Sequence, residues 1–325
     1  MKTILVSGAS GIVGYGILRS LKRSGKQLNL IGTTIYEDSV ANAFCDTFVK
    51  AIPTNDPFYL DWLLNTIRKY NINLLIPGIE ADLYKWTDHI SEIQQSGARI
   101  ALNNIDLIAL TKDKWKFYER LLLLDKEHAI ESSLVGNYDT LAERFGLPFL
   151  LKPRRGFGSK GIVSIDNEVS FQSYQKDIGE KLMAQPIVGS LEEEYTSAAF
   201  CDATGSPKAY MTLRRKLSKD GFTEKATVVE IDDLKKVVSK LCGSFRPIGP
   251  TNFQFRRHND TWKLLEINPR ISSSTSIRTA FGYNESLMTV EYYLENKIPG
   301  QPEIKRGRAV RYSEDFIFYE DSTDF

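Results

Sequence analysis

Residues 251–276 read TNFQFRRHNDTWKLLEINPRISSSTS. Two runs of strand composition, Asn252–Arg257 and Trp262–Asn268, flank a His-Asn-Asp turn, which predicts a β-hairpin. Alternation along a strand would put Leu264, Glu266 and Asn268 on one face and Lys263, Leu265 and Ile267 on the other. With the turn centred on Asn259-Asp260, Gln254 lies across from Glu266. A carboxylate and two carboxamides then converge, with Arg270 just beyond. Such hard oxygen donors suit Mg²⁺, which keeps positions for water and substrate phosphates. An arginine beside them suits an anionic transition state. The same residues would also serve as the wet face of an ordinary hairpin.

The rest of the chain sets bounds on this reading. Its 325 residues can bury one large core or two to three modest ones. A net charge of +1 supplies no field that draws the chain to nucleic acid or a membrane surface, so neither is expected as a partner. Cys45, Cys201 and Cys242 have no metal-type spacing, and their odd number suits a reducing cytoplasm. His89, His128 and His258 lie far apart, which argues against a Ser-His-Asp or zinc centre. The N-terminal MKTILVSGASGIVG begins like a signal peptide but breaks early into glycine and serine, and no apolar run is long enough to span a bilayer.

The first third alternates strands and helices. Thr3–Val6 is a strand entering Ser7–Gly14, followed by a helix to about Arg23 with Ser10 as its candidate N-cap. Strands follow at Leu28–Ile31, Asn73–Pro77 and Arg99–Leu102, with helices from Asp56-Pro57 to Tyr70 and over Leu83–Gln95. This pattern predicts a doubly wound parallel sheet. Gly8-x-x-Gly11-x-x-Gly14 admits a dinucleotide site, but the second strand ends in Gly32-Thr33-Thr34 where an acid for the ribose is expected. A close-packed turn or a contact to a substrate carboxylate is the alternative. Glu80 lies just past a strand's carboxyl end, where open α/β sheets place ligands, and it could equally cap the helix that follows.

From Thr111 the texture becomes antiparallel. Lys114 opens a helix. Pro148–Pro153 is a strand carrying Lys152, 154–161 a glycine loop, and Ile162–Ile165 a strand. Gly156-Phe157-Gly158-Ser159-Lys160-Gly161 matches the letters of a Rossmann or kinase loop, yet a strand follows it rather than a helix, and no HRD or DFG motif exists. What remains is a strand-loop-strand flap whose amides can cover phosphates, with Lys152 reaching in from the preceding strand.

Lys114, Leu150-Leu151-Lys152 with its flap, Gln185-Pro186-Ile187-Val188-Gly189 followed by Glu194-Tyr195-Thr196, and Gln254 with Glu266-Ile267-Asn268-Pro269-Arg270 resemble the ATP-grasp superfamily in order and spacing. The run Leu265–Ser274 is most similar to one synthetase half of the carbamoyl-phosphate synthase large subunit. The resemblance covers about residues 100–311. It implies a Rossmann-like pre-ATP-grasp domain over 1–110, a lid subdomain over 111–188 and a large α+β subdomain over 189–325. It further implies that Lys114, Lys152 and the flap (Gly156, Phe157, Gly158, Ser159, Gly161) hold ATP phosphates. Gln185, Pro186 and Ile187 would pair with adenine, and Glu194, or its neighbours Glu192 and Glu193, with ribose. Gln254, Glu266 and Asn268 would ligate Mg²⁺, with Mn²⁺ able to substitute, and Arg270 with Lys152 would be catalytic. Ser272, Ser273, Ser274, Arg278 and Glu80 would face the substrate.

The activity so implied is ligation of a small-molecule carboxylate to an amine through an acyl phosphate. A cytoplasmic homodimer is the expected setting, since relatives dimerise through the first domain. Two departures stand out. A single synthetase unit without a tandem copy argues against carbamoyl phosphate synthesis, and Gln254 replaces a more usual glutamate. The competing classes are an NAD(P)-dependent oxidoreductase built on the Gly8 loop and a non-catalytic nucleotide-binding module.

Overall fold

The computed structural model describes residues 1–156, 161–190, 192–218 and 221–318. The N-terminal layer is a parallel sheet of β1 (Lys2–Val6), β2 (Leu28–Thr34), β3 (Thr47–Lys50), β4 (Leu74–Ile76) and β5 (Arg99–Ile100), in the order β3-β2-β1-β4-β5. The apolar runs Ile4–Val6 of β1 and Leu74–Ile76 of β4 are buried because helices cover both faces. Those helices are α1 (Ile12–Lys22), α2 (Tyr59–Tyr70), α3 (Glu80–Asp88) and α4 (Ile90–Gln95). Three details depart from expectation. α1 is capped at Gly11 without a side-chain bond, and the Ser10 hydroxyl instead lies 2.8 Å from Thr34 Oγ1. Asp56 forms a turn before α2, accepting from the Phe58 amide at 2.8 Å. The expected helix over Leu83–Gln95 is two helices, broken at His89, and it begins three residues earlier, at Glu80.

The Gly8 loop is a tight turn packed against the neighbouring strand connection. A Cβ on Gly14 would sit 2.3 Å from the Gly8 carbonyl oxygen, and one on Gly78 would sit 2.1 Å from that of Ser7. The Ala9 and Gly11 amides already donate within the protein, to Thr33 O and Gly8 O, both at 2.9 Å. Backbone packing therefore accounts for the glycines, and the dinucleotide reading is not favoured.

α5 (Ile105–Thr111) and α6 (Lys114–Asp125) lead to the second unit: α7 (Tyr138–Phe145), β6 (Phe149–Pro153), β7 (Val163–Ile165), α8 (Glu168–Gln172) and β8 (Leu182–Pro186). Its antiparallel sheet has the order β7-β6-β8. The third unit comprises β9 (Glu194–Cys201), β10 (Pro207–Leu217), β11 (Thr223–Val229), α9 (Asp232–Phe245), β12 (Gly249–His258), β13 (Thr261–Asn268), α10 (Thr275–Ala280), α11 (Glu285–Glu295) and β14 (Arg308–Val310). Its antiparallel sheet runs β13-β12-β9-β10-β11-β14. The C-terminal helices also complete the N-terminal layer: Ile271 and Val290 share a core with Ile4, Val6 and Ile17, and Asn284 Nδ2 donates to Ser20 O at 2.9 Å.

The hairpin of β12 and β13 turns at Asn259 and Asp260, both with positive φ, and pairs Gln254 with Glu266. A regular ladder closing on that turn would place Leu265 opposite Gln254. A register shift after Gln254 makes Leu265 the extra residue of a bulge. The bulge also reverses side-chain parity. Leu264 and Ile267 both enter the core with Phe253 and Phe255, so the expected grouping of Leu264 with Glu266 and Asn268 is incorrect. Glu266 and Asn268 occupy the opposite face, across from Gln254 and Asn252.

Candidate active site

The two lysines are brought together by a fastened junction. Asp113 caps α6, accepting from the Trp115 amide at 3.0 Å, so that Lys114 is the helix's first residue. The same carboxylate receives Arg154 through Nε at 3.3 Å and Nη2 at 2.9 Å, and the Lys114 amide donates to Arg154 O at 2.8 Å. The start of α6 is thereby tied to the end of β6, two residues beyond Lys152. Lys114 Nζ donates to Gly156 O at 2.6 Å, which holds the described edge of the flap.

From the other side, the bulged β13 presents Glu266 and Asn268. Asn268 Nδ2 donates to Glu266 Oε1 at 2.9 Å, and Arg270 Nη2 donates to Asn268 Oδ1 at 3.3 Å. Arg270 also donates through Nε to Glu80 Oε1 at 3.0 Å, through Nη2 to the same oxygen, and through Nη1 to Ile271 O at 3.1 Å. Glu80, at the first turn of α3, therefore sets the plane of the Arg270 guanidinium.

Lys114, Lys152, Gly156, Gln185, Glu266, Asn268, Arg270 and Glu80 line one cleft between the three sheets. Their charges are coupled. Burial pushes the Lys152 ammonium down to about 8, with Lys114 and Arg256 adding to the effect and Glu266 opposing it. Burial likewise lowers Lys114. For Glu266, burial acts to raise the pKa, but Lys152, the Asn268 hydrogen bond, Lys114 and Arg270 outweigh it and hold the carboxylate below its ordinary range. The floor of the cleft is thus an ionised acid facing two partly desolvated amines.

Other expected residues lie elsewhere. Gln185 lines the cleft, and its Nε2 donates to Ser132 Oγ at 2.8 Å. Pro186, Ile187, Gly161 and Gln254 are outside the lining, Gln254 being placed beside Glu266 by strand register. The Glu194 carboxylate is buried between Arg215 at 2.7 Å and Arg256 at 3.0 Å. Neighbouring Glu192 is exposed and pairs with Lys216 at 2.7 Å. Ser272, Ser274 and Arg278 are buried: Arg278 Nη1 donates to Ser272 Oγ at 2.9 Å and Glu285 at 3.0 Å, and Nη2 to Asn252 Oδ1 at 2.6 Å. Ser273 is half-buried, its carbonyl accepting from Arg311 Nη2 at 3.0 Å. Phe157, Gly158 and Ser159 lie outside the described residues.

Sequence reading passed over Tyr84, Thr111, Phe117, Tyr118, Leu121 and Ile130, which also line the cleft. Tyr84 was within reach, because it stands one helical turn after Glu80 on the same face of α3. Burial and the nearby Glu80 raise its phenol pKa. The apolar residues of α6 were hidden, since only the packing of that helix shows which flank faces the cleft.

This combination of a parallel N-terminal layer, a small antiparallel lid sheet and a larger antiparallel sheet around a lysine- and acid-lined cleft is the ATP-grasp fold. More narrowly, the family model for ATP-grasp in the biosynthetic pathway with Ter operon matches residues 191–316. Among solved structures, N5-carboxyaminoimidazole synthetase from Staphylococcus aureus in complex with ADP superimposes with a TM-score of 0.72, covering 93% of this chain and 80% of that one at 18% identity. Biotin carboxylase from Campylobacter jejuni gives 0.73, with 94% and 74% covered at 15% identity. The carbamoyl phosphate synthase large chain of Acidobacterium capsulatum is 25% identical over 194 residues, which are 55% of this chain and 18% of that protein. The chain thus spans about a fifth of the length of that relative.

Proposed function

We propose that the protein is a Mg·ATP-dependent ligase that activates a small-molecule carboxylate as an acyl phosphate and joins it to an amine. One observation carries this reading: Lys114, Lys152, Glu266, Asn268 and Arg270 line the same cleft. The ammonium groups of Lys114 and Lys152 would draw the triphosphate in, with the Gly156 flap as cover. The backbone around Gln185, Pro186 and Ile187 and the apolar flank of α6 suit the adenine, and one of Glu192, Glu193 and Glu194 the ribose.

The donor set fits a hard divalent cation: Glu266 is held ionised by the lysines, and the Gln254 and Asn268 carboxamide oxygens stand on the same face. When bound, Mg²⁺, or Mn²⁺ in its place, neutralises phosphate charge. A substrate carboxylate oxygen attacks the γ-phosphorus while the β–γ bridging bond breaks and ADP leaves. The amine then attacks the acyl carbon, phosphate departs, and the amine loses a proton. Lys152 carries charge at the transferring group. Arg270, oriented by Glu80, steadies the oxyanion of the addition step. The acyl phosphate hydrolyses readily, so the site must exclude water during the reaction.

The buried network of Ser272, Ser274 and Arg278 shapes the floor behind Arg270, and Ser273 is the serine of this run left for the substrate. A reducing cytoplasm agrees with the reading, since Cys45, Cys201 and Cys242 are all unbridged thiols. No helix among the described residues is long and apolar enough to cross a membrane.

The test is ADP and phosphate release with Mg·ATP over a panel of amino acids and other acids paired with amines. Release that needs both an acid and an amine is expected. Absence of Mg·ATP binding, together with quenching of NAD(P)H fluorescence, would instead support a dehydrogenase.

A further inference from the structure

We propose a second cation site, separate from the nucleotide cleft, at the C-terminal end of α6: Asp125, Glu127 and His128 together bind a divalent ion of the Zn²⁺ class. One potential ligand atom from each of the three lies within 4.8 Å of the others, and no other three His, Cys, Asp or Glu side chains converge so among the described residues.

The independent sign is an orphaned oxygen. Asp125 is 5% exposed, and its Oδ2 is buried without a hydrogen-bond partner, while Oδ1 pairs with Lys240 Nζ at 3.1 Å. A buried carboxylate oxygen left unpaired is costly, so such a group ordinarily faces a proton donor or a metal. What Oδ2 faces is His128 Nε2, at 3.8 Å.

The tautomer of His128 follows from its other nitrogen. Nδ1 lies 2.8 Å from Trp262 O, and a carbonyl can only accept, so Nδ1 carries the hydrogen. In the neutral imidazole Nε2 then presents a lone pair to Oδ2. Two acceptors face each other across a gap too long for a hydrogen bond. Ligands about 2.1 Å from a tetrahedral Zn²⁺ stand roughly 3.4 Å apart, close to the observed spacing. An Nδ1–H donated to a backbone carbonyl is also the bond that orients metal-ligating imidazoles.

Glu127 is exposed and can swing to supply a third ligand, while its carbonyl is pinned by Lys263 Nζ at 2.7 Å. One imidazole nitrogen with carboxylate oxygens selects a borderline ion over Mg²⁺ or Ca²⁺. Lys240, half exposed, can move aside. A bound ion would fasten the last residue of α6, whose other end carries Lys114, to His128, which is itself bonded to Trp262 O of β13.

The experiment is titration of the metal-stripped full chain with ZnCl₂ alone, by calorimetry and by elemental analysis after gel filtration. One equivalent should bind. Glu127→Gln, an exposed change that leaves the fold intact, and His128→Gln should each weaken binding at least about tenfold. Glu266→Gln, which alters the nucleotide cleft, should leave binding unchanged. The proposal is overturned if the wild type binds no Zn²⁺, which would leave His128 as a protonated partner of Asp125. It is equally overturned if Glu127→Gln and His128→Gln bind as the wild type does, or if Glu266→Gln abolishes binding.

Discussion

Lys152 makes a quantitative demand on nucleotide binding. Its ammonium is pushed down from the ordinary 10.5 to about 8, chiefly by burial. A triphosphate in the cleft would restore the charged form, so binding must take up a proton wherever free Lys152 is neutral. If the bound value returns to its ordinary range, uptake is roughly a tenth of a proton at pH 7, half at pH 8 and nine-tenths at pH 9. The folded pKa lies below the unfolded one, so the unliganded protein carries the full penalty below pH 8, and its stability rises as pH climbs from 8 to 10.5. The shift corresponds to about 3 kcal/mol, or about 2 kcal/mol once solvent screening of a half-buried lysine is allowed for. Lys114 acts in the same direction. Calorimetry of Mg·ATP binding in buffers of different ionisation enthalpy reads the uptake directly, and urea melts read the stability. Uptake that does not change between pH 7 and 9, or that is undiminished in Lys152→Met, would refute the reasoning.

Other predictions follow from the same geometry. Arg270→Ala should lower kcat by ~10²–10³, equivalent to about 3–4 kcal/mol, while Mg·ATP binding measured by calorimetry persists. Asp113→Ala removes the α6 cap and the Arg154 pairing together, and should lose about 2–3 kcal/mol in urea melts and raise KM for ATP. Burial opposes the ionised form of Asp113, but the Arg154 hydrogen bond and backbone donors hold its carboxyl below the usual range. Its stabilisation is therefore present above the ordinary carboxylate pKa and lost as pH falls through the folded value, so wild type and Asp113→Ala should converge in strong acid. Arg278→Ala leaves Glu285 buried without its partner and should cost about 3–5 kcal/mol by chemical denaturation. Stripping divalent ions with EDTA should abolish turnover, with activity returning on addition of Mg²⁺ or Mn²⁺.

Residue spacing made the parallel N-terminal layer, the acid–amide hairpin and the Lys152 flap legible, and the family resemblance added Lys114 and the ATP-grasp architecture. Glu266 and Asn268 stand two apart on a strand, Lys152 stands on a strand before a glycine loop, and Lys114 follows an N-capping aspartate. Spacing alone could not show the bulge at Leu265, because a bulge is set by packing of Phe255 and Leu264 against the core rather than by any local signal. It likewise missed β3, a half-buried strand of four residues, and the break at His89. The serine run after Arg270 looked polar and therefore wet. The structure buries Ser272 as an acceptor for Arg278, which also pairs with Glu285, and buries Ser274 against the Thr223 hydroxyl at 2.9 Å. Such long-range satisfaction of polar groups is invisible to local reading.

The most direct test is a crystal structure with Mg²⁺ and a non-hydrolysable ATP analogue. The account predicts a terminal phosphate within hydrogen-bond reach of Lys152 Nζ and a metal ion ligated by Glu266, in the single cleft that also holds Lys114 and Arg270. A nucleotide seated at the Gly8 loop, with Lys152 and Glu266 left without ligand, would contradict it.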